Sequence, residues 1–469
     1  MHKLLIPLAL CLLAGCASQQ TVPMPQADVP ARWEVAAADP LAPSAPQPDL
    51  AGWWRALGDP ALDELVGRAL QGNLSLAAAG ERLRAARTLL IPAEASLRPN
   101  LRFATTAAPS PDSRSSYFQA GFDAQWELGL FGRSDNIASA AAADAGLAQV
   151  NLRAARVALE AEVVRTWLEL GEAVRRVALL DEDIVIQRQN VQLLQTRVRT
   201  HLAADAEVAR ARAALAQAEA ARLEPLDAVQ RSRRQLTVLL GDRHAVLPEV
   251  KQLASSGLDE VRVEQTPADM LRTRPEIRRA EQLALRAASA AGEARANLYP
   301  RLALGGMLSS AWPLHSAGSG SSVHSTLALG PTLDIPLFDW GARRAVVDAR
   351  DAALAAALLD YRQSVLEGLA EVQTAFAALA SQRERVGTAR RAREALAEFE
   401  AAAATRLRLG LADNFETGAA RSARLHADLA LGQAQLAQRL AFVALYKSLG
   451  GANPAGMAAA QSAPQGTAP

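Results

Sequence analysis

Residues Ser116–Arg133, SYFQAGFDAQWELGLFGR, alternate in character. Phe118, Ala120, Phe122, Ala124, Trp126 and Leu128 are apolar, whereas Gln119, Gly121, Asp123, Gln125 and Glu127 are polar or small. A period of two held this long predicts a strand with one apolar and one wet face. The length matches a transmembrane β-strand, for which ~9–11 tilted residues cross a bilayer. A soluble edge strand has the same parity, so this stretch alone leaves both readings open.

The chain repeats the pattern at Ser325–Arg343, STLALGPTLDIPLFDWGAR, where Leu327, Leu329, Leu333 and Ile335 share one face and Thr326, Ala328, Thr332 and Asp334 the other. Glu127 aligns with Asp334 and Phe131 with Phe338 at one common offset. Upstream, Pro99 of LRPNLRFA matches Pro300 of LYPRLALG; downstream, Glu162-Val163 matches Glu371-Val372, and the Leu-Gly ending at Gly241 matches that ending at Gly450. The offset drifts only at loops. The sequence is a tandem duplication of a unit of roughly 200 residues, each reading helix, strand pair, long helical hairpin.

Residues 1–16, MHKLLIPLALCLLAGC, have a short basic start, an apolar run and then Leu13-Ala14-Gly15-Cys16. They are expected to be a secretory signal ending in a lipobox, too short for a membrane helix. Cys11 would leave with the signal and Cys16 would become the lipidated N-terminus. The chain has only these two cysteines, so disulfides, metal–thiolate sites and cysteine catalysis are not expected. Ala17, in place of an acidic residue, favours sorting to the outer membrane.

Residues 17–50, rich in Pro, Ala, Gln and Ser, read as an extended tether. The first repeat is expected over 51–250, with Asp59 capping a helix that begins at Pro60 and a break near Gly72-Asn73. Its strands are predicted at about 100–108 and 116–128, its helices at 134–200 and 206–241, with Pro225 breaking or offsetting the latter. The second repeat, 251–451, is predicted to hold strands at about 301–312 and 325–335 and helices at 341–409 and 414–449. Residues 452–469 read as a disordered tail. The fold class is mainly α with β: a tandem repeat of long α-helical hairpins plus two β-strand pairs.

A helix of the length predicted over 134–200 would run ~100 Å. Such helices need neighbours alongside, in a coiled coil or a wall of packed hairpins. No run of eighteen uninterrupted apolar residues follows Cys16, so any crossing of a bilayer must use strands. A barrel in lipid must close, and about eight strands are the minimum. Four strands per chain therefore require several copies. Phe103, Tyr117, Trp126, Phe131, Tyr299, Trp312, Phe338 and Trp340, read as near strand ends, suit interfacial belts, with core packing as the alternative.

These features together resemble the TolC-like outer-membrane efflux channels, most closely their lipoprotein branch of the OprM/NodT type. The matching stretches cover nearly all of the mature chain. They are the lipobox, Trp53-Trp54 with Asp59-Pro60, Trp126-Glu127-Leu128 through Phe131-Gly132-Arg133, Arg274-Pro275-Glu276-Ile277, Pro336-Leu337-Phe338-Asp339 with Gly341, and Leu445-Tyr446-Lys447 with Gly450-Gly451. The resemblance implies a homotrimer with a twelve-stranded outer-membrane β-barrel, a periplasmic α-barrel and an equatorial belt. It further implies a passive exit duct of a tripartite pump, powered by an inner-membrane resistance-nodulation-division transporter and joined to it by a periplasmic adaptor. Lipid on Cys16 would anchor each protomer, and no other cofactor is implied.

The resemblance also assigns the hairpin tips to adaptor contact. Leu409-Gly410-Leu411 resembles the family's contact turn; His201 and Leu202 form the matching turn, with His where the family usually has Gly. Asp205, Arg406, Arg408 and Asp413 lie at or beside these tips. They would form rings or inter-protomer pairs that close the aperture, unless they are only solvated charges. His201 would make closure pH-sensitive, unless it is an incidental surface histidine.

Asp123, Glu127 and Asp334 lie on the polar parity and are lumen-lining candidates. Rings of carboxylates favour cations, while hydration of a wide channel is the plainer role. No nucleophile elbow, phosphate-cradling glycine loop or His/Cys cluster at metal spacing is present, so no enzyme activity is expected. A net charge of +1 with both signs interspersed argues against nucleic acid. The rival readings are a periplasmic adaptor, which would carry a single hairpin, and a structural coiled-coil lipoprotein, which would not need the alternating strands.

Overall fold

A computed structural model describes Pro30 and residues 52–96, 98–108, 117–250, 273–313 and 324–450. Cys16, the tether at 17–50 (Pro30 apart) and the tail at 452–469 lie outside the described residues. After a 3-10 turn at Trp53–Leu57, the described order is α1 (Pro60–Gly72), α2 (Leu74–Thr88), α3 (Leu90–Ala95), β1 (Asn100–Ala108), β2 (Tyr117–Glu127), α4 (Arg133–Arg199), α5 (Asp205–Ala221) and α6 (Leu223–Leu240). The second half gives α7 (Pro275–Ala296), β3 (Arg301–Pro313), β4 (His324–Asp334), α8 (Ala342–Arg408) and α9 (Asn414–Ser448). Among the described residues no helix is long and apolar enough to cross a membrane.

Local chemistry sets these boundaries. Asp59 Oδ1 accepts from Ala61 N at 3.0 Å while Pro60, whose missing N–H costs nothing there, opens α1. Asn73 ends α1 and caps α2, its Oδ1 accepting from Leu76 N at 2.9 Å and its Nδ2 donating to Leu239 O at 2.9 Å. Pro225 sits in the first turn of α6, where no intrahelical donor is required, so the break between α5 and α6 is confined to Arg222. The helices α4 and α8 each run 67 residues, Ala-rich and free of proline.

The chain divides into two compact units, and each takes segments from both halves of the sequence. One comprises Ala79–Asn151 and Glu276–Ser364; the other comprises the described parts of Asp28–Ala78, Leu152–Pro275 and Val365–Pro469. The helices α4 and α8 contribute to both.

The second unit is knitted by an aromatic core. Trp53 stacks on Tyr446 at 5.4 Å between ring centroids and meets Phe442 at 6.0 Å, with Trp167, Leu62, Leu65 and Leu236 fully buried around them. Trp167 Nε1 donates to Asp59 Oδ2 at 2.7 Å, so the residue that starts α1 also satisfies the one polar atom of a buried indole. Arg274, buried, donates to Gly368 O at 3.0 Å and pairs with the Glu371 carboxylate. Gly432 of α9 lies where a side chain would collide with Arg175 and Glu172 of α4, so the absence of a Cβ lets these helices approach.

In the first unit the strands form an antiparallel meander in the order β1-β2-β3-β4. The register keeps parity across all four strands. Phe103, Phe122, Leu308 and Leu327 form one row of the apolar face, and Leu101, Ala124, Gly306 and Leu329 another. The opposite face carries Arg102, Gln119, Asp123, Ser309 and Thr326, with Gln119 Nε2 donating to Ser309 Oγ at 3.0 Å. The apolar face is exposed: Leu101, Phe103, Phe122, Leu308, Leu327 and Leu329 all meet solvent in the single chain.

Phe103 corrects the expectation that it marks a strand end. It lies mid-sheet, paired with Phe122 at 5.2 Å. The register with β2 fixes both its face, shared with Phe122, and its height.

Candidate functional site

The two hairpin tips have one geometry. After α4, His201 N donates to Val198 O at 3.0 Å and Leu202 N to Arg197 O at 2.7 Å. After α8, Gly410 N donates to Leu407 O at 3.0 Å and Leu411 N to Arg406 O at 2.8 Å. Both are Schellman turns with a left-handed residue just beyond the helix, φ 57° for His201 and 71° for Gly410. The substitution of His for Gly therefore leaves the turn intact at a cost in backbone strain of about 1 kcal/mol. Leu202, Leu409 and Leu411 project into solvent.

The four charges proposed from the sequence at the tips have different surroundings. Asp413 caps α9, its Oδ1 accepting from Glu416 N at 2.8 Å, and its Oδ2 takes Arg197 Nη2 at 2.7 Å. Arg197 went unrecognised because it is distant in sequence and looks like one of many helical arginines. The Arg197 guanidinium, and then the Glu416 N–H, hold the Asp413 carboxyl below its ordinary range. Arg406 Nη1 bonds Glu416 Oε1 at 2.6 Å and Arg406 Nη2 bonds Leu411 O at 3.2 Å, so it braces its own turn. Arg408 Nη2 reaches Thr405 Oγ1 at 3.0 Å on its own helix. Asp205 is the first residue of α5, where a carboxylate favours the helix dipole.

Farther along the hairpins, a polar clasp joins α4 to α9. Asp183, buried, accepts from Ser422 Oγ at 2.6 Å and lies 3.6 Å from His426 Nε2. Burial pushes its carboxyl up, but bonds from His426, Ser422 and Gln187 outweigh burial and leave it lowered. The bond to Asp183 raises the His426 imidazole above its ordinary value. Nearby in sequence, Arg424 of α9 pairs with the carboxylates of Glu182 on α4, Glu400 on α8 and Asp428 on its own helix. These residues lacked any sequence signal, because they sit on three helices brought together only by packing.

The lumen candidates lie on the polar face with charged partners. Asp123 Oδ2 receives Arg102 Nη2 at 2.7 Å across the β1–β2 pair. Glu127 Oε1 lies 2.9 Å from Arg133 Nε, and Asp334 stands opposite Arg301 in register. Asp123 and Glu127 are thus paired charges rather than bare carboxylates. Below the sheet, Phe131 stacks on Tyr299 at 4.8 Å, and Phe338 packs edge-on to Trp340 at 4.8 Å.

Comparison with known proteins agrees with this architecture. The outer membrane efflux protein family matches residues 65–242 and 266–451, one match in each repeat. Outer membrane protein OprJ of Pseudomonas aeruginosa is 31% identical, covering 94% of this chain and 93% of its own length. Nodulation protein T of Rhizobium leguminosarum bv. trifolii is 27% identical over 78% of this chain and 80% of its own. The solved outer-membrane channel OprN superposes with a TM-score of 0.77 at 29% identity, covering 93% of this chain and 99% of that one. The chain belongs to the outer membrane efflux protein family, and its fold is that of the TolC-like channels. It is an outer-membrane efflux component.

Proposed function

We propose that three copies of this chain form a passive exit duct through the outer membrane. In it, twelve strands close a β-barrel and the helical hairpins continue the duct through the periplasm. One observation carries the reading: a four-stranded sheet with strands of 9, 11, 13 and 11 residues bears an exposed apolar face and cannot close on itself. In lipid such a sheet requires further copies, since open edges leave backbone groups unpaired in hydrocarbon. OprJ and OprN are named as an outer-membrane protein and an outer-membrane channel, which supports the same reading.

A periplasmic adaptor would grip the tips at His201, Leu202, Leu409, Gly410 and Leu411, and an inner-membrane resistance-nodulation-division transporter would supply the energy. Lipid on Cys16 would hold each protomer to the membrane. The duct itself performs no chemistry; the transporter selects the cargo. The test is planar-bilayer conductance of the purified protein after its mass has been measured. A trimer with discrete conductance steps is expected. A folded protein giving no conductance in any oligomeric state would refute the duct and leave a structural lipoprotein.

A further inference from the structure

The link from β4 to α8 departs from its counterpart after β2. Phe131 and Gly132 have φ of 58° and 76°, and Trp340 and Gly341 have 57° and 80°. In conformation, therefore, Trp340 takes the place of Phe131. The second link reaches that place two residues later, running from Asp334 to Trp340 where the first runs from Glu127 to Phe131.

The two links also pack differently. Phe131 is stacked on Tyr299 with 17° between the ring planes. Leu337, Phe338 and Trp340 are instead 90%, 75% and 89% exposed, and the two rings meet each other edge-on.

Parity gives the longer link a direction. Leu327, Leu329, Leu333 and Ile335 make the apolar side of β4, and Leu337 continues the same alternation beyond Asp334, where the strand ends. From Leu327 to Leu337 the row covers about ten residues. At ~3.3 Å per residue and a tilt near ~40° that is ~25 Å, the height of a barrel's apolar band. Phe338 and Trp340 then fall at headgroup depth, where aromatic rings gather.

A cation stands just beyond them. Arg343 is engaged, its Nε 3.6 Å from Asp339 Oδ2 and its Nη1 donating to Asn297 O at 3.5 Å. Arg344 is exposed and, among the described residues, makes no hydrogen bond or ion pair, Asp348 one turn along included. Nor does Arg344 serve its own helix. In the first turn of α8 a positive charge opposes the helix dipole and no acidic residue offsets it, whereas the matching residue of α4 is Asp135.

We propose that the β4–α8 link is a site for an anionic phospholipid of the leaflet on the helical side of the barrel. Leu337 and Phe338 enter among the acyl chains, while the Trp340 indole N–H and the Arg344 guanidinium donate to the headgroup phosphate. This rests on the duct reading above and adds to it a ligand and the residues that hold it. A guanidinium offers phosphate a fork of donors.

Depth is tested on the full chain in vesicles containing phosphatidylglycerol. Phe338→Cys is labelled with a nitroxide, the unsubstituted chain being carried through the same labelling, and collisions with oxygen and with a water-soluble nickel chelate are compared. A label that meets oxygen more than nickel is expected. A label freely reached by nickel, or screened from both by a neighbouring copy, overturns the site. Conductance of the same sample separates the two readings: a conducting protein keeps the duct, and one that neither enters the vesicle nor conducts loses both.

Headgroup selection is read by native mass spectrometry of the full chain in detergent with equal phosphatidylglycerol and phosphatidylcholine. Retained phosphatidylglycerol is expected to fall about fivefold in Arg344→Gln. It should be unchanged in Arg350→Gln, an exposed arginine on another face of α8, and should persist in excess inorganic phosphate. Equal retention by wild type and Arg344→Gln overturns the phosphate contact, and displacement by inorganic phosphate overturns the lipid as its ligand.

Discussion

Arg197 Nη2 lies 2.7 Å from Asp413 Oδ2, tying the last turn of α4 to the residue that starts α9. Both side chains are about half exposed, so the ion pair contributes only about 0.5 kcal/mol, while the cap on Glu416 N contributes about 1 kcal/mol. Substitution can separate the two roles. Asp413→Asn keeps a capping oxygen and loses the charge; Asp413→Ala loses both.

Asp413→Ala is expected to lower stability by about 1 kcal/mol and to speed amide exchange at residues 414–417, with Asp413→Asn near wild type in both. If the pair restrains the aperture, Arg197→Ala and Asp413→Asn will raise bilayer open probability to the same degree. Equal conductance in wild type and both variants would remove this pair from gating. Because the Asp413 carboxyl is held below its ordinary value, its contribution is present above about pH 4 and lost as pH falls through the lowered value.

The Asp183–His426 clasp has the opposite dependence. His426 is raised above its ordinary value by Asp183, so its contribution is complete below about pH 6.5 and fades as pH rises through the higher folded value. Melting curves between pH 6 and 8.5 should show the wild type losing more stability than His426→Gln over that interval. Parallel curves would show that the imidazole charge does not hold α4 to α9.

His201 occupies a left-handed turn position that its Gly410 counterpart fills without strain. His201→Gly should therefore stabilise the protein slightly, by at most about 0.5 kcal/mol, because the added chain entropy of glycine offsets most of the relieved strain. Gly410→Ala should destabilise it by about 1 kcal/mol. Thermal melting of both variants checks the pair; a destabilised His201→Gly would mean that the imidazole makes a contact worth more than the strain.

Arg274 is buried with its guanidinium on Gly368 O and the Glu371 carboxylate. Arg274→Ala leaves that carbonyl without this donor and opens a cavity, for an expected loss of about 2 kcal/mol or more. Arg274→Lys should recover only part, since one ammonium cannot reproduce the forked donor. Denaturant titration of the three proteins measures the order. A silent Arg274→Ala would move this motif from scaffold to surface function.

The strands were legible because their determinant is local. A period of two from Phe118 to Leu128, repeated from Leu327 to Ile335, states both the strand and which of its faces is apolar. The helix ends were legible for the same reason: Asp59-Pro60, Gly241 and Gly410 act within a few residues of the boundaries they set. The family resemblance, carried by ordered motifs across both repeats, agrees with the family match.

What the sequence could not state is which distant residues meet. Asp123 and Glu127 read as bare carboxylates until Arg102 and Arg133 were placed beside them, and Asp413 was a tip charge until Arg197 reached it from another helix. Phe103 read as a rim residue because parity gives a face but not a height. Periodicity and caps are properties of neighbours along the chain, so the sequence alone determined the elements, their polarity and the duplication. Ion-pair partners, the Asp183–His426 clasp and the strand register depend on how separate elements pack, so only the tertiary structure decided them.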